Sequence, residues 1–422
     1  MTDTLPDQVV IISDFSNIQG GASKLALSLA QLLAAQSIPV TFFCGDSANR
    51  LPNGVVSVSL RGRRLLESNK FSAAVHGLWN RNAKLKLAAW IEKNDTLRTI
   101  YHVHGYHQTL SPAILSPLRR VSDRVVMHAH DYFLACPNGA FFDFRSGETC
   151  SRRPLSVACV TCNCDKRSYA QKIWRMSRQS IQNMVRNRLF PGVTTVMVNT
   201  GMEKYLFPDG SGGPICVVPN PAEPLLEFPL KAEKNHDIVY VGDIHHYKGV
   251  ELLARAGKLA GVSVRFVGDG QGLADLKVNH PEHRFEGWQD YDGLRRILSS
   301  ARLLVSPTLG PEPFGLAPIE ALLSGIPVLM SDSMLLAQEI VSDEMGMSFA
   351  AGDCDDLIKK LSLAIGSDHL IAQLSSNARE KSHVHSLGLK EWGDALLAIY
   401  VQLLAVNGGA KTGNVAEQKR VT

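Results

Sequence analysis

The segment from residue 306 to residue 332, SPTLGPEPFGLAPIEALLSGIPVLMSD, restricts the fold of this chain more than any other. Proline lacks an N–H group and is accommodated in the first turn of a helix, so Pro318 places a helix start near Gly315. Apolar runs typical of buried strands, ARLLVSP and IPVLM, stand before and after this helix. The segment therefore predicts a strand, a loop, a helix and a second strand, the repeating unit of a parallel α/β sheet.

The predicted loop and helix start have the chemistry of a phosphate site. The backbone N–H groups of Gly315 and Leu316 would lack helical partners and point outward, where the helix dipole favours an anion. Ligands of open parallel sheets bind beyond the carboxyl ends of the strands, where Glu312 falls, and Glu320 can reach the same crevice. Two carboxylates beside a phosphate suit a ligand with phosphates and hydroxyl groups. The alternative without a ligand is that Glu312 is a solvated loop residue and that Glu320 is a charge favoured by the helix dipole.

Two series of apolar runs alternate with helical patterns along the chain. The first begins with VVIIS, and the second begins with DIVYVG after PNPAEPLLEFPLKAEKNH, a linker rich in proline and charge. Each series predicts a doubly wound α/β sheet. We predict an N-terminal domain at residues 1–220, a C-terminal domain at 236–385, a final helix at 386–406 and a disordered tail at 407–422.

Several segments together resemble the family 4 glycosyltransferases, which are retaining enzymes of the two-domain GT-B fold. The E-x7-E motif of that family corresponds to Glu312 through Glu320. The other matching segments are IISDFSNIQGGASKLALSLAQLL, VVPNP, DIVYVGDIHHYKGVELLARA, VRFVGDGQGLADL and RFEGW, so that the resemblance covers nearly the whole chain. It implies two Rossmann-like domains facing a cleft, a final helix that crosses back to the first domain, and a nucleotide-diphosphate sugar as donor.

The resemblance assigns donor-site roles to residues of both domains. Glu312 would contact sugar hydroxyls near the reacting centre, Glu320 would bind the ribose hydroxyls, and Lys248 would contact the diphosphate. The other donor-binding residues that it implies are Gly20, Gly21, Phe314, Gly315 and Leu316. Catalysis of this kind is electrostatic and requires no metal or other cofactor.

On the acceptor side, the family places a histidine at the end of a first-domain strand, which corresponds to His130. A neutral imidazole there can hydrogen-bond a sugar hydroxyl, although a structural histidine is the alternative. His104 is the second choice, and Asp131 is a secondary candidate for contacting the acceptor. One position departs from the family, because Asp243 stands where an arginine usually follows the glycine, and an anion beside a diphosphate costs affinity.

Five of the eight cysteines lie close together in the first domain. Cys159 and Cys162 have the CxxC spacing of a zinc site, which Cys136 and Cys150 would complete, with Cys164 as the alternate ligand. The interpretations are a structural zinc ion, labile disulfides and plain buried thiols. Because the cluster lies close to His130, we expect it to shape the acceptor side.

The stretch that follows, residues 166–188, carries seven Lys and Arg residues and no acidic residue. Its apolar residues share one helical face, which predicts either a helix packed on its own domain with a solvated cationic face or attachment to an anionic membrane surface. The formal net charge of +4 is too small to indicate nucleic acid as a partner. The start MTDTLPDQ lacks a signal-peptide pattern, so we expect a cytoplasmic protein, peripheral on the inner face of the membrane if this helix attaches.

The sequence thus predicts a retaining glycosyltransferase that moves a hexose from a UDP- or GDP-sugar to a saccharide or a polyprenyl-linked saccharide. The expected setting is the assembly of exopolysaccharide, capsule or lipopolysaccharide. One alternative is a nucleotide-sugar enzyme of the same fold, such as an epimerase. The other is a catalytically weak scaffold that binds a saccharide or lipid carrier, which Asp243 favours.

Overall fold

The computed structural model of the chain describes residues 5–48, 51–62, 70–189, 192–210, 212–227 and 230–409. Most of the predicted tail, residues 410–422, lies outside this part of the chain.

The N-terminal domain is built on a seven-stranded parallel sheet. Its strands are β1 (Gln8–Ser13), β2 (Val40–Cys44), β3 (Val55–Ser59), β4 (Thr99–Val103), β5 (Val125–Ala129), β8 (Thr194–Met197) and β9 (Ile215–Val217), with a separate antiparallel pair, β6 (Phe142–Asp143) and β7 (Glu148–Thr149). Its helices are α1 (Gly21–Ala35), α2 (Lys70–Leu78), α3 (Arg81–Asn94), α4 (Leu115–Leu118), α5 (Val157–Thr161), α6 (Tyr169–Leu189) and α7 (Glu203–Leu206). Alternate residues of β1 pack into different apolar clusters, Val9 with α1 and Val10 with α3, so both faces of the sheet are covered.

The C-terminal domain is built on a six-stranded parallel sheet. Its strands are β10 (Asp237–Val241), β11 (Val264–Val267), β12 (Arg284–Gly287), β13 (Ala301–Ser306), β14 (Val328–Ser331) and β15 (Gly346–Phe349). Its helices are α8 (Val250–Leu259), α9 (Leu273–Asn279), α10 (Tyr291–Leu298), α11 (Leu316–Leu323), α12 (Ala337–Ser342), α13 (Cys354–Gly366) and α14 (Asp368–Lys381). The prediction of two doubly wound sheets is confirmed.

Each sheet has one place where the strand order reverses. The orders are β3-β2-β1-β4-β5-β8-β9 and β12-β11-β10-β13-β14-β15, so β1 and β4 flank one reversal and β10 and β13 flank the other. Ligands of doubly wound sheets bind beyond the carboxyl ends of such strand pairs. The loops that follow these four strands contain Gly20, His104, Lys248 and Glu312, respectively.

The last helix, α15 (Leu389–Gly409), packs on the N-terminal domain. Its residues Trp392, Leu396 and Tyr400 are fully buried in the apolar cluster that contains α1. This helix ends at Gly409 rather than at residue 406. The returning helix joins the two domains through a shared core rather than through the linker alone.

The Cys-rich insertion (residues 136–164) also contacts both domains. Thr149 donates a side-chain hydrogen bond of 3.2 Å to the carbonyl oxygen of Leu309. The ring of Phe144 meets that of Tyr247 edge-on, with centroids 5.9 Å apart. The insertion therefore reaches the two C-terminal loops that follow β10 and β13.

The expectation of a solvated cationic face on α6 is wrong for two of its cations. Lys172 and Arg178 are buried, with 2% and 6% of their surfaces exposed, whereas Ile173 and Met184 are exposed. The buried cations are accommodated because backbone carbonyl groups accept their hydrogen bonds, as the carbonyl oxygen of Cys159 does from Lys172 at 2.5 Å. Within the described ranges, no helix combines the length and the apolar character needed to cross a bilayer.

Candidate functional site

Two glycines set the geometry of the loops that follow β10 and β13. The helix α11 begins at Leu316, as the sequence predicts, and Gly315 precedes it with a φ of 79°. Gly249 has a φ of 71°, and a Cβ atom there would lie 1.9 Å from the carbonyl oxygen of Pro307. Only glycine permits this approach. The turn that carries Lys248 is thereby held against the loop that carries Glu312.

Lys248 and Glu312 form an ion pair in which the Lys248 Nζ donates a hydrogen bond to the Glu312 Oε2. The Thr308 hydroxyl lies 3.4 Å from the same oxygen. Both charged side chains are mostly buried, with 19% and 22% of their surfaces exposed. Burial opposes the charge of Lys248, but attraction to Glu312 outweighs it and raises the lysine pKa. The pair places a permanent cation at the carboxyl ends of β10 and β13.

Glu320 lies on α11 and faces the N-terminal domain. Burial raises the pKa of its carboxyl, while the charge of Lys24 on α1 acts in the opposite direction. Gly20 and Gly21 open that same helix α1. The second glutamate of the motif therefore lies near the start of the first helix, across the domain boundary.

A cleft of about 1130 Å³ lies at the carboxyl edge of the N-terminal sheet. The predicted site residues on its wall are Gly20, Gly21, His104, His130, Asp131 and Leu316. Among the described residues of the wall, Leu316 alone belongs to the C-terminal domain. Lys248, Glu312 and Glu320 lie outside this cavity, and so do Phe314 and Gly315. The cleft consequently has the N-terminal domain as its main wall.

Four histidines stack at the floor of the cleft. The Nδ1 of His104 is 3.0 Å from the Nε2 of His130, and the Nδ1 of His128 is 3.2 Å from the Nε2 of His102. At the inner end of the histidine stack, the Nδ1 of His102 lies 2.5 Å from the Tyr400 hydroxyl of α15. Burial lowers the pKa of His130 to about 4 and the pKa values of the other three well below the ordinary value. All four imidazoles are therefore neutral near pH 7.

Asp131 lies on the cleft wall beside the histidine stack. Its Oδ1 accepts a hydrogen bond of 2.8 Å from the backbone N–H of Phe133. The residue is exposed to the cleft, where desolvation raises the pKa of its carboxyl to about 6, although that hydrogen bond and the charge of Arg178 act in the opposite direction. Asp131 can thus exchange a proton close to neutral pH.

Asp243, the residue that departs from the family pattern, has cations nearby. Its carboxylate is 3.7 Å from the Nε2 of His245. It also attracts Lys248 and Lys166, the latter from the segment that follows the Cys-rich insertion. A cation from the other domain therefore stands near the position where the family usually has an arginine.

The clustered cysteines are free thiols. Those that line a cavity of about 20 Å³, enough for one water molecule or ion, are Cys136, Cys150, Cys159 and Cys164. Cys162 of the predicted zinc set lies apart, because its Sγ donates to the Asp143 carboxylate at 3.0 Å. Lys172 approaches the cavity and donates to the Cys164 Sγ at 3.2 Å.

Two groups of side chains in the described ranges have ligand atoms close enough to hold a metal ion. They are His102, His104 and His128, and His280, Glu282 and His283. Neither group contains a cysteine. The zinc site stays a prediction.

Comparison with known proteins identifies the C-terminal half. Residues 223–381 match the family model described as glycosyl transferases group 1. The C-terminal domain is therefore similar to the group 1 glycosyltransferases over residues 223–381. It contains Lys248, Glu312 and Glu320. A search of curated proteins found no match to this chain.

Solved structures resemble the C-terminal and N-terminal domains together. Sucrose-phosphate synthase from Thermosynechococcus elongatus is 16% identical with a TM-score of 0.68, and the match covers 95% of this chain and 100% of that chain. HepE from Anabaena in complex with UDP is 14% identical with a TM-score of 0.64, covering 94% and 100%. WaaG, a glycosyltransferase involved in lipopolysaccharide biosynthesis, is 15% identical with a TM-score of 0.64, covering 93% and 99%. At these identities the likeness establishes the fold, which is GT-B.

Sequence reasoning missed one wall of the cleft, which α6 and the loop after β5 provide. Arg178, Trp174 and Phe133 line this wall. The signal that could have found it is the run of cations from residue 166 to residue 188 without a single acidic residue. The positive charge of such a run has no compensating carboxylate within the run itself, so it favours an anion from another segment or from a ligand.

Proposed function

We propose that the protein is a retaining glycosyltransferase that transfers a hexose from a nucleotide-diphosphate sugar to a saccharide or a polyprenyl-linked saccharide. The observation that carries this proposal is the ion pair of Lys248 with Glu312 beside the open N-terminus of α11. A cation and free helical N–H groups suit a diphosphate, and a carboxylate suits sugar hydroxyl groups. The similarity of the domain that contains these residues to the group 1 glycosyltransferases supports the same function.

In the proposed mechanism, the acceptor hydroxyl attacks the anomeric carbon from the same face from which the leaving group departs, so the configuration is retained. The bond from that carbon to the diphosphate oxygen breaks, and the proton of the acceptor hydroxyl passes to the departing phosphate. Lys248 and the N–H groups at Gly315 stabilise the charge that develops on the diphosphate. Glu312 holds sugar hydroxyls near the reacting centre, and the neutral His130 donates to or accepts from a hydroxyl group.

We propose a UDP-sugar as the donor in preference to a GDP-sugar. Structures of HepE, which shares the fold, were obtained with UDP, with UDP and glucose, and with UDP-glucose. The pathway that we propose is surface-polysaccharide assembly, for which the similar fold of a lipopolysaccharide glycosyltransferase gives support.

Replacing Glu320 with Ala is expected to weaken nucleotide binding by on the order of 1 to 3 kcal/mol, because the ribose would lose hydrogen bonds to a charged acceptor. Thermal-shift titration with UDP, GDP and ADP on the wild type and the variant measures this loss. Glu380→Ala, an exposed glutamate on α14, serves as the control and should bind like the wild type. Equal affinity of the Glu320→Ala variant and the wild type would remove the ribose role.

The scaffold alternative rests on Asp243. It predicts that none of the three nucleotides stabilises the wild-type protein in the same titration. Lys166 near Asp243 favours the enzyme, since it restores positive charge where the arginine is missing.

We propose a structural zinc ion bound by Cys136, Cys150, Cys159 and Cys164, in which Cys164 takes the place of Cys162 as the fourth ligand. Elemental analysis of the protein purified under reducing conditions is expected to find about one zinc per chain, and a chelator should lower the melting temperature. Cys354→Ser, a substitution remote from the cluster, should leave the zinc content unchanged. Protein without zinc or iron would contradict the site.

We also propose that the outward face of α6 contacts an anionic membrane surface on the cytoplasmic side. Tyr169, Ile173 and Met184 are exposed there, with 41%, 39% and 55% of their surfaces accessible. Lys166 and Arg188 are exposed near the two ends of the same helix. Apolar side chains flanked by cations suit the headgroup region of anionic lipids.

A further inference from the structure

Arg178 is a buried cation that forms no close ion pair within the described ranges, although Asp14 and Asp131 attract it from farther away. Only 6% of its surface is exposed, and none of the carboxylates in the described part of the chain lies within 4.0 Å of its guanidinium. Its NH1 donates one hydrogen bond of 2.9 Å to the carbonyl oxygen of His107. A guanidinium has five N–H donors, and burying its charge costs free energy unless an anion compensates. Arg178 nevertheless stays charged near pH 7, because burial lowers its pKa only to about 10.

Arg178 lines the large cleft, and so do three further cations, Lys166, Arg167 and Arg175. Of these, Arg175 is paired, with its Nε 3.1 Å from the Asp165 carboxylate. The three carboxylates that line this cavity, Asp14, Asp131 and Asp165, are fewer than the four cations. The wall therefore carries an excess of positive charge that faces the cavity.

Aromatic rings frame the same cation. The Arg178 guanidinium carbon lies 5.2 Å from the ring centre of Trp174 and 5.5 Å from that of Phe133. Both rings also line the cleft. Their flat apolar faces hold the guanidinium in place and offer a surface to a bulky ligand.

We propose that this wall is an oxyanion subsite for the acceptor, so that the acceptor is a saccharide that carries a phosphate or a carboxylate group. Arg178 binds the anionic group, with Lys166 and Arg167 at the cavity mouth, while Trp174 and Phe133 contact the sugar. The planar fork of an arginine matches both phosphate and carboxylate oxygens. The proposal rests on the proposed function in naming the ligand an acceptor, but the subsite is separate from Lys248 and Glu312.

The test is isothermal titration of the wild-type protein with glucose 1-phosphate, glucuronic acid and methyl glucoside, without UDP and with UDP at saturation. We expect at least one anionic probe to bind about tenfold more tightly than the neutral glucoside, in keeping with charge-assisted hydrogen bonds. The phosphate and carboxylate probes distinguish the two sources of the oxyanion. Equal affinities for the three probes, or anion binding that saturating UDP abolishes, would overturn the subsite.

The variant Arg178→Gln is expected to lose about tenfold in affinity for the anionic probe, with the affinity for methyl glucoside and for UDP unchanged. Arg188→Gln, at the exposed end of the same helix, is the matched control. Arg167→Gln changes an exposed residue of the same wall and gives a second measurement if Arg178→Gln does not fold. If the wild-type protein does not bind UDP, that result counts against the proposed function alone, because the affinity for the anionic probe is measured separately without UDP.

Discussion

Replacing Lys248 with Ala is expected to lower kcat for sugar transfer by about 10² to 10³, the usual cost of removing one preorganised charge from a transition state. The charge on the diphosphate grows as the bond to the anomeric carbon breaks, so the loss should fall on kcat more than on KM. Release of the nucleoside diphosphate from the donor sugar, followed against time at saturating donor, measures kcat. The same assay without acceptor reports hydrolysis and shows whether the loss lies in bond cleavage.

Lys258→Ala is the matched control for this experiment. Lys258 lies in the same domain and also pairs with a glutamate, Glu282, but 60% of its surface is exposed. It should keep full activity. Lys248→Ala leaves the mostly buried carboxylate of Glu312 without its ion-pair partner, which can destabilise the protein. The melting temperature of each variant is therefore measured together with the rates. An activity of the Lys248→Ala variant within about twofold of the wild type would exclude Lys248 from the transition state.

Acidification is expected to destabilise the protein steeply, because its histidine stack is neutral when folded. The folded pKa values of His102, His104 and His128 lie well below the ordinary value. Below about pH 6.5 the unfolded chain binds protons that the folded chain does not, so stability falls as pH falls. Each such histidine contributes about 1.4 kcal/mol over the whole interval from about pH 7.5 to 5.5, which is roughly 4 kcal/mol for the three.

Urea unfolding at several pH values measures this slope. His385 and Asp131 act in the opposite direction, because each has a raised pKa in the folded chain and gains a proton there before the unfolded chain does. His128→Gln is expected to lower the slope by about one proton, while His383→Gln, at an exposed position, should leave it unchanged. A free energy of unfolding that stays constant over this range would show that the stack takes up protons without cost.

The parts of the fold that could be predicted from the sequence are those with local signals. Pro318 and the flanking apolar runs place α11, because a proline is restricted to the first turn whatever surrounds it. The family resemblance assigns Lys248 and Glu312 to one donor site, but their direct pairing is seen only in the structure, where the loops after β10 and β13 meet at a strand-order reversal.

The face of α6 that is buried could not be predicted in this way. Hydrophobic periodicity assumes that apolar side chains face the core and cations face water. In this helix the carbonyl groups of neighbouring loops accept hydrogen bonds from buried cations, as Leu134 does from Arg186 at 2.6 Å. Cys162 shows the same limit, since spacing alone does not reveal that Asp143 accepts its thiol hydrogen.

The Cys-rich insertion adds a consequence for the timing of turnover. Thr149 and Phe144 hold it to Leu309 and Tyr247, on the loops that carry the proposed donor site. Any parting of the two domains must either break these contacts or pull the insertion along with the C-terminal domain. If product release limits kcat, then kcat depends on how readily the insertion separates from the C-terminal loops. Removing the Thr149 hydrogen bond to Leu309 would then raise kcat without changing a residue that contacts the reacting atoms.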